Sequence, residues 1–335
     1  MKKYSFLFLF LILLNSCFSI KFSNYEEVIL INPYKDVNWD KVKRYKANLH
    51  THTKESDGKE PIEKVIFLYK SRGYSILSIT DHNKFTYPSD NKEIFLIKGI
   101  EFGKNQHHIL GYFSFKVPEN IENLNEDEIL KLISEDGFAV FSHPGRYNKS
   151  IDWYINFFEK YPNLLGIEVL NPSVQKKKSY GDTDIWDEIL SKTMPERQVW
   201  GFGNDDFHNI THLSINWNEF LIDKINEEEI KKAIKGGKFY ICSAILGFDM
   251  PYIKKIIIDG KKGEIKIEAE NYKKIRWISN GKLIEEGEKI KYKKNPDIKN
   301  YIRVEIIGEQ GFIYLNPFAV IRSSAFHCPP RRWAK

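Results

Sequence analysis

Asn48-Leu49-His50-Thr51-His52-Thr53-Lys54-Glu55-Ser56-Asp57-Gly58 is the stretch on which the reading of this chain turns. Two histidines stand two residues apart directly after a short apolar run, and an aspartate follows in a turn. With 46–49 as a strand, His50 and His52 point the same way, because one face of a strand repeats every two residues. Two imidazoles at one strand end can grip one metal ion. A surface loop also carries such a pair by chance, so its weight depends on what the rest of the chain adds.

Outward from that stretch, one arrangement repeats. Pro61 opens a helix in which Ile62, Val65, Ile66 and Tyr69 recur at helical spacing, and Gly73 stops it. An apolar strand over 75–80 delivers Asp81-His82-Asn83, and another over 94–100 ends at Glu101. His107 and His108 open a strand over 108–113. Asn125 and Glu128 form a capping box for a helix carrying Ile129, Leu132 and Ile133, which Gly137 ends. The strand 138–142 delivers His143-Pro144-Gly145-Arg146, and an aromatic-rich helix covers 151–161. The strand 165–170 carries Glu168 and ends at Asn171, 185–190 is helical, and the strand 198–203 leads into Asn204-Asp205-Asp206-Phe207-His208. Asn226 and Glu229 form a second capping box before Ile230, Ala233 and Ile234, closed by Gly236-Gly237. Short apolar strands alternating with amphipathic helices predict an α/β fold with mainly parallel strands. In a parallel barrel the carboxyl ends of the strands share one face, so residues far apart in sequence converge there.

The candidate donors are His50, His52, Asp57, His82, Glu101, His108, His143, Asp206 and His208. Nine nitrogen and oxygen donors exceed one tetrahedral site and suit two or three ions, with Glu101 as a bridge. No thiolate accompanies them, which argues against a structural zinc knot or an iron–sulfur cluster; imidazole with carboxylate fits Zn²⁺, Mn²⁺ or Fe²⁺. Paired ions of this kind acidify a shared water and neutralise phosphate oxygens, so no nucleophilic Ser or Cys is needed. Arg146, three residues after His143, is either a phosphate clamp or a surface arginine. Asp81 is expected to orient His82 or the strand end, and Asp205 to yield to Asp206 in the Asp-x-His pair. His107 is expected to yield to His108, and His212 to be ordinary surface. Glu168 and Asn171 either line the pocket or pair within the fold. Trp153, Phe157 and Phe158 are expected to pack rather than to bind substrate, and Lys176-Lys177-Lys178 to be a solvated loop.

His50-x-His52, Ser56-Asp57-Gly58, Thr80-Asp81-His82-Asn83, Gly99-Ile100-Glu101, His108-x-Leu110-Gly111, Ser142-His143-Pro144 and Asp206-x-His208 resemble the PHP (polymerase and histidinol phosphatase) superfamily, in its order and at its spacing. Gly166-Ile167-Glu168-Val169-Leu170-Asn171, Trp186-Asp187-Glu188-Ile189-Leu190 and the C-terminal region resemble its stand-alone, often exported branch, similar to carbaryl-hydrolase-like proteins. The resemblance covers roughly 45–240 well. It implies a distorted (β/α)7 barrel, a two- or three-metal site and, most often, phosphoester hydrolysis. It implies one metal among His50, His52, Glu101 and Asp206, a second held by Asp57, His82 and His208, and a third, where present, by Glu101, His108 and His143. Asp206, His208 and Arg146 are the candidate catalytic residues. The same centre would also serve a carbamate, amide or ester hydrolase; a non-catalytic surface-binding lipoprotein is the remaining alternative.

The remainder of the 335 residues frames this domain. Lys2 and Lys3, an apolar run over 6–14 and Leu14-Asn15-Ser16-Cys17 read as a signal peptide with a lipobox over 1–17. That predicts an exported chain anchored to the membrane through lipid on Cys17, with a secreted or periplasmic protein as the alternative. A linker over 18–44 leads to the metallohydrolase domain over 45–243. Residues 250–322 read as a small β-sandwich, with Asn280-Gly281 as a hairpin turn, and 323–335 as a basic tail. Cys242 and Cys328 show no metal spacing and are structural or incidental, though one disulfide is open to them. The net charge of +6 is spread along the chain, which suits a small phosphorylated substrate and predicts no nucleic-acid partner.

Overall fold

The computed structural model describes residues 27–88, 91–178, 181–245 and 249–323. The expected signal peptide, Cys17, Cys328 and the tail beyond Ser323 lie outside the described residues. Among the described residues, no helix is long and apolar enough to cross a membrane.

The first part of the chain gives β1 (Glu27–Ile31), β2 (Lys43–Asn48), α1 (Ile62–Ser71), β3 (Ile76–Ile79), β4 (Phe95–Phe102), β5 (Ile109–Tyr112), α2 (Glu126–Leu132) and β6 (Phe138–Phe141). Then come α3 (Ile151–Lys160), β7 (Leu164–Leu170), α4 (Pro172–Gln175), α5 (Thr183–Thr193), β8 (Trp200–Gly203), β9 (Asn216–Ile222), α6 (Glu227–Gly236) and β10 (Phe239–Ala244). The remainder is strand: β11 (Tyr252–Asp259), β12 (Glu264–Glu270), β13 (Lys274–Ser279), β14 (Lys282–Glu286), β15 (Lys289–Lys291), β16 (Tyr301–Ile307), β17 (Gly311–Leu315) and β18 (Phe318–Ser323). Helix starts follow their caps. Asn125 and Glu128 form the expected reciprocal capping box, and the Asn226 side chain accepts from the Glu229 N–H.

One sheet runs β1-β18-β16-β17-β10-β9-β2-β3-β4-β5-β6-β7-β8. β2, β3 and β4 are mutually parallel, as are β6, β7 and β8. β5 runs antiparallel to both of its neighbours, so the expected parallel order breaks beside Glu101, and it breaks again at β9, which is antiparallel to β2 and β10. β8 closes towards β9 without a ladder. Instead the Asn218 amide on β9 accepts from the Gly203 N–H at 3.1 Å and donates to the Gly203 carbonyl at 2.8 Å. Beyond the strand ends, Thr51 and Phe207 form a parallel bridge, with the His52 N–H on the Phe207 carbonyl at 2.8 Å. Phe207 and Thr51 face inward and are fully buried.

The expected boundary between the metallohydrolase domain and the β-region falls after β10, and the sheet crosses it. β10 pairs antiparallel with β17, Cys242 opposite Ile313. β11, β12 and β15 form a separate three-stranded sheet. Its Ile253, Ile265 and Ile267 pack in one apolar cluster with Trp277, Val304 and Ile306 of the long sheet. Asn280 and Gly281 both have positive φ and join β13 to β14 in a two-residue hairpin. The stretch read as a linker contains β1, which pairs at the far edge of the long sheet. Cys242 is a free, buried thiol.

Candidate metal centre

All nine candidate donors meet at the strand ends. The route begins with strand alternation. Thr51 and Phe207 turn inward on their bridge, so their neighbours His50, His52, Asp206 and His208 turn to the opposite side. His82 and Glu101 form a second parallel bridge beyond β3 and within β4. His143 and Asp206 both take left-handed backbone, with φ of 30° and 45°. Such strain in non-glycine residues concentrates where side chains must be aimed.

Four donor atoms form the tightest group. His50 Nε2 lies 3.1 Å from His52 Nε2, 3.1 Å from Glu101 Oε2 and 3.2 Å from Asp206 Oδ1. His52 Nε2 lies 3.2 Å from Glu101 Oε2 and 3.3 Å from Asp206 Oδ1. In a tetrahedral site with bonds of about 2.0–2.1 Å, donors stand about 3.3–3.4 Å apart. His50 and His52 therefore stand at ligand spacing from each other and from both carboxylates, and the sets His50–His52–Glu101 and His50–His143–Asp206 each gather three donors close enough for one first-row divalent ion. Asp206 Oδ1 is buried with no hydrogen-bond partner, which in a closed protein interior is costly unless a cation takes that place.

Glu101 joins this group to a second. Its Oε1 lies 3.1 Å from both His108 Nδ1 and His143 Nε2, while Oε2 also reaches His82 Nδ1 at 3.2 Å. The third group surrounds Asp57. Its Oδ2 stands 3.2 Å from His208 Nε2 and 3.6 Å from His82 Nε2, and its Oδ1 stands 3.5 Å from His52 Nδ1. His52, Asp57, His82 and His208 thus make one potential ligand set, and His82, Glu101 and His108 another. No set holds both His50 and Asp57.

Outer contacts fix the ring orientations. His50 Nδ1 donates to Glu168 Oε1 at 2.8 Å, which leaves Nε2 to face the donor group. His208 Nδ1 donates to the Asp206 carbonyl at 2.8 Å and frees its Nε2 likewise. Glu168 is fully buried and also accepts from the Asn204 amide and the His143 N–H. Asn171 bonds both Glu168 and Asp206 Oδ2, so the pair holds ligands in place rather than lining a pocket wall. Arg146 donates Nη2 to Asp206 Oδ2 at 2.8 Å and Nε to Ser173 Oγ at 2.9 Å, with its side chain 38% exposed. It belongs to the mouth of the site, not to remote surface.

Charge is balanced inside the cluster. Burial opposes protonation of His52, but the nearby Asp206 and Glu101 carboxylates, 3.3 and 3.2 Å away, outweigh that and push its pKa up to about 9. Burial likewise opposes the charge on His50, and Glu101, Glu168 and Asp206 overcome it. Burial acts against ionisation of Glu101 and Asp206 too, yet the surrounding histidines hold both carboxyls well below the usual range. Burial pulls His82 down to about 4.

Other expectations change. Asp81 does not bond His82; it accepts from the Thr53 N–H, the Thr53 hydroxyl and the Ser56 hydroxyl, and so pins the loop that carries Asp57. Gly58 completes that loop, because a Cβ there would stand 2.5 Å from the His52 carbonyl oxygen. Asp205 accepts from the N–H groups of Ser214, Ile215 and Asn216 and from Tyr69, away from the donors. His107 is core: it stacks on Tyr147 and Trp153 and bonds the Tyr154 hydroxyl. His212 is half-buried rather than free surface, with Nδ1 at 3.1 Å from the Asp206 carbonyl oxygen. Asn204 and Asn218, which position Glu168 and close β8, had no sequence signal beyond being polar residues in apolar strand surroundings.

Sheet and donor cluster together point to a divalent-metal-binding α/β protein. No family model matches the chain, and no curated protein matches it. Among solved structures it is similar to PHP-like metal-dependent phosphoesterases and to an endonuclease. A two-domain protein containing a predicted PHP-like metal-dependent phosphoesterase from Bacteroides vulgatus is 13% identical, over 85% of this chain and 88% of that one, with a TM-score of 0.49. The lesion-specific endonuclease Q of Pyrococcus furiosus is 19% identical, over 58% of this chain and 56% of that one, with a TM-score of 0.41. An amidohydrolase from Chromobacterium violaceum is 15% identical, over 50% of this chain and 89% of that one, with a TM-score of 0.38.

Proposed function

We propose that this chain is a metal-dependent hydrolase of the PHP type that cleaves a phosphomonoester or phosphodiester at a two- or three-metal centre. The observation that carries the reading is Glu101. Its two oxygens face different histidine sets, His108 and His143 on one side and His50 and His52 on the other, each at 3.1–3.2 Å. A carboxylate placed in this way bridges two ions. Bound divalent ions would supply Lewis acidity and an acidified water.

The chain's own residues do the rest. His50, His52 and Asp206 would hold one ion, His108 and His143 another, and Asp57, His82 and His208 a third where three are bound. Glu168 keeps the His50 proton on Nδ1, away from the ligand atom. Arg146 presents its guanidinium at the mouth, with Ser173 on Nε, Asp206 on Nη2 and His143 Nε2 at 3.3 Å from Nη1 fixing its plane, so that it can add a phosphate oxygen through an N–H left over.

The test is a screen of metal-reconstituted protein against phosphomonoesters, phosphodiesters and aryl carbamates, with His50→Ala and Asp206→Ala as controls. Phosphoester turnover lost in both variants is the expected result. Full metal content with no phosphoester turnover overturns the reading, and turnover of carbamates alone replaces it with carbonyl hydrolysis. We propose further that the chain is exported and carries lipid on Cys17; radiolabelled palmitate incorporated by the native chain but not by Cys17→Ala is the expected outcome.

A further inference from the structure

A groove of about 740 Å³ opens beside the metal centre, against the face where β10 meets β17. Its wall starts at the site itself. Pro172 lines the groove, and its neighbours are Asn171, bonded to Asp206 Oδ2, and Ser173, bonded to Arg146. On the other flank His212 lines it, with its ring centroid 6.0 Å from that of His208. Half-buried Ile215, Ala244 and Phe312 form an apolar part of the lining, beside the polar Ser243 and Glu309. Ile245 extends that apolar part at 57% exposure. Lys176, exposed on the same rim, forms no ion pair among the described residues.

We infer that this groove is the subsite for the organic part of the substrate, and that the substrate is an anionic ester with a bulky apolar alcohol portion. The inference rests on the phosphoester reading for the anionic end. The volume is within the range of small-molecule sites, roughly 300–1,000 Å³. The apolar part of the lining rewards a large hydrocarbon surface, and seating such a group covers Ile245. Lys176 draws the anionic ester along the rim towards Arg146 and the donor cluster.

Two non-hydrolysable probes test this on the metal-loaded full chain: methylphosphonate and 1-naphthylphosphonate, titrated calorimetrically. The naphthyl probe is expected to bind at least about tenfold tighter. Ile245→Asn, an uncharged change at an exposed position, is expected to cut the naphthyl probe's affinity towards that of methylphosphonate. Lys176→Glu is expected to weaken both probes alike without altering their ratio. Equal binding of the two probes to the native chain overturns the inference, as does an Ile245→Asn variant that keeps the full preference. The outcome separates from the reaction class. Turnover of compact phosphoesters without probe discrimination removes the groove alone, while discrimination without any phosphoester turnover removes the reaction and leaves the groove.

Discussion

His50 Nδ1 lies 2.8 Å from Glu168 Oε1, and neither residue is reached by solvent. The carboxylate can only accept, so the proton sits on Nδ1 and the opposite nitrogen is committed to the donor group. Glu168→Gln keeps the volume but can turn a donor towards that ring. Metal affinity is expected to fall about 10–100-fold, the usual cost of losing such an outer partner. Competition against a chelating dye measures it, and an unchanged affinity would remove Glu168 from this role.

Glu101 is the more demanding position, since each oxygen serves different histidines. Glu101→Gln retains one oxygen acceptor and replaces the other with an amide nitrogen, which cannot ligate. Elemental analysis after dialysis is expected to show loss of at least one metal equivalent, and Glu101→Ala to lose more than Glu101→Gln. Equal metal content in all three proteins would show that Glu101 is no bridge.

The donors were legible because strand ends advertise them: a His, Asp or Glu directly after an apolar run stands out in the sequence. Asn125 and the Asn280-Gly281 turn were legible for a related reason, since their chemistry is local. What could not be read was long-range. β9 carries Asn216 and Asn218 at fully buried positions, which breaks the apolar run that marks a central strand. Asn218 is there because the sheet closes through its side chain. The continuity of β10 with β17 was equally hidden, because pairing across some seventy residues of sequence leaves no local pattern. Asp81 shows the same limit: of the two roles expected for it, His82 is not its partner, and the Thr53 and Ser56 groups that it accepts from are on the loop after β2, out of reach of any local pattern.

Metal uptake is expected to release protons. In the metal-free protein the Asp206 and Glu101 carboxylates push His52 up to about 9 against the opposition of burial, so it is charged at pH 7. A ligand nitrogen must be deprotonated, so binding expels that proton, and affinity rises with pH towards 9. Titration in buffers of different ionisation enthalpy measures the number released. The stability of the metal-free chain runs the other way. A folded pKa raised above the unfolded value of about 6.5 gives stability that is whole below pH 6.5 and lost as the pH climbs through about 9. The melting temperature of the metal-free form should therefore fall across that window, and that of the loaded form should not.

Arg146 ties Asp206 and Ser173 together at the mouth of the site. Arg146→Ala is expected to lower kcat/KM on a phosphoester by about 100-fold, the scale for losing one aligned donor to a developing anion. Arg146→Lys keeps the charge but not the fork, and is expected to recover only part of the loss, mostly through KM. Metal content should stay at the native level in both. Metal loss in parallel with activity would show instead that the arginine acts by holding Asp206.

A buried charge network joins α5 to the C-terminal strands. Arg303 on β16 is 2% exposed and donates Nε and Nη2 to the two oxygens of Asp187 on α5, at 2.7 and 2.6 Å. Its Nη1 meets Glu305 at 2.6 Å, and the Tyr301 hydroxyl bonds Asp187 at 2.7 Å. Asp187→Ala leaves a buried guanidinium facing one carboxylate instead of two, and leaves the Tyr301 hydroxyl only the residue-187 carbonyl at 3.4 Å. Breaking a buried pair from one side costs about 3–5 kcal/mol, because the stranded charge cannot rehydrate. Replacing both charges, as in Asp187→Leu with Arg303→Met, removes the stranded charge along with the attraction, and is expected to cost less than the single change. Urea unfolding of the three proteins at matched metal occupancy decides it. A double variant less stable than Asp187→Ala would mean that the network contributes through its geometry rather than by balancing its own charges.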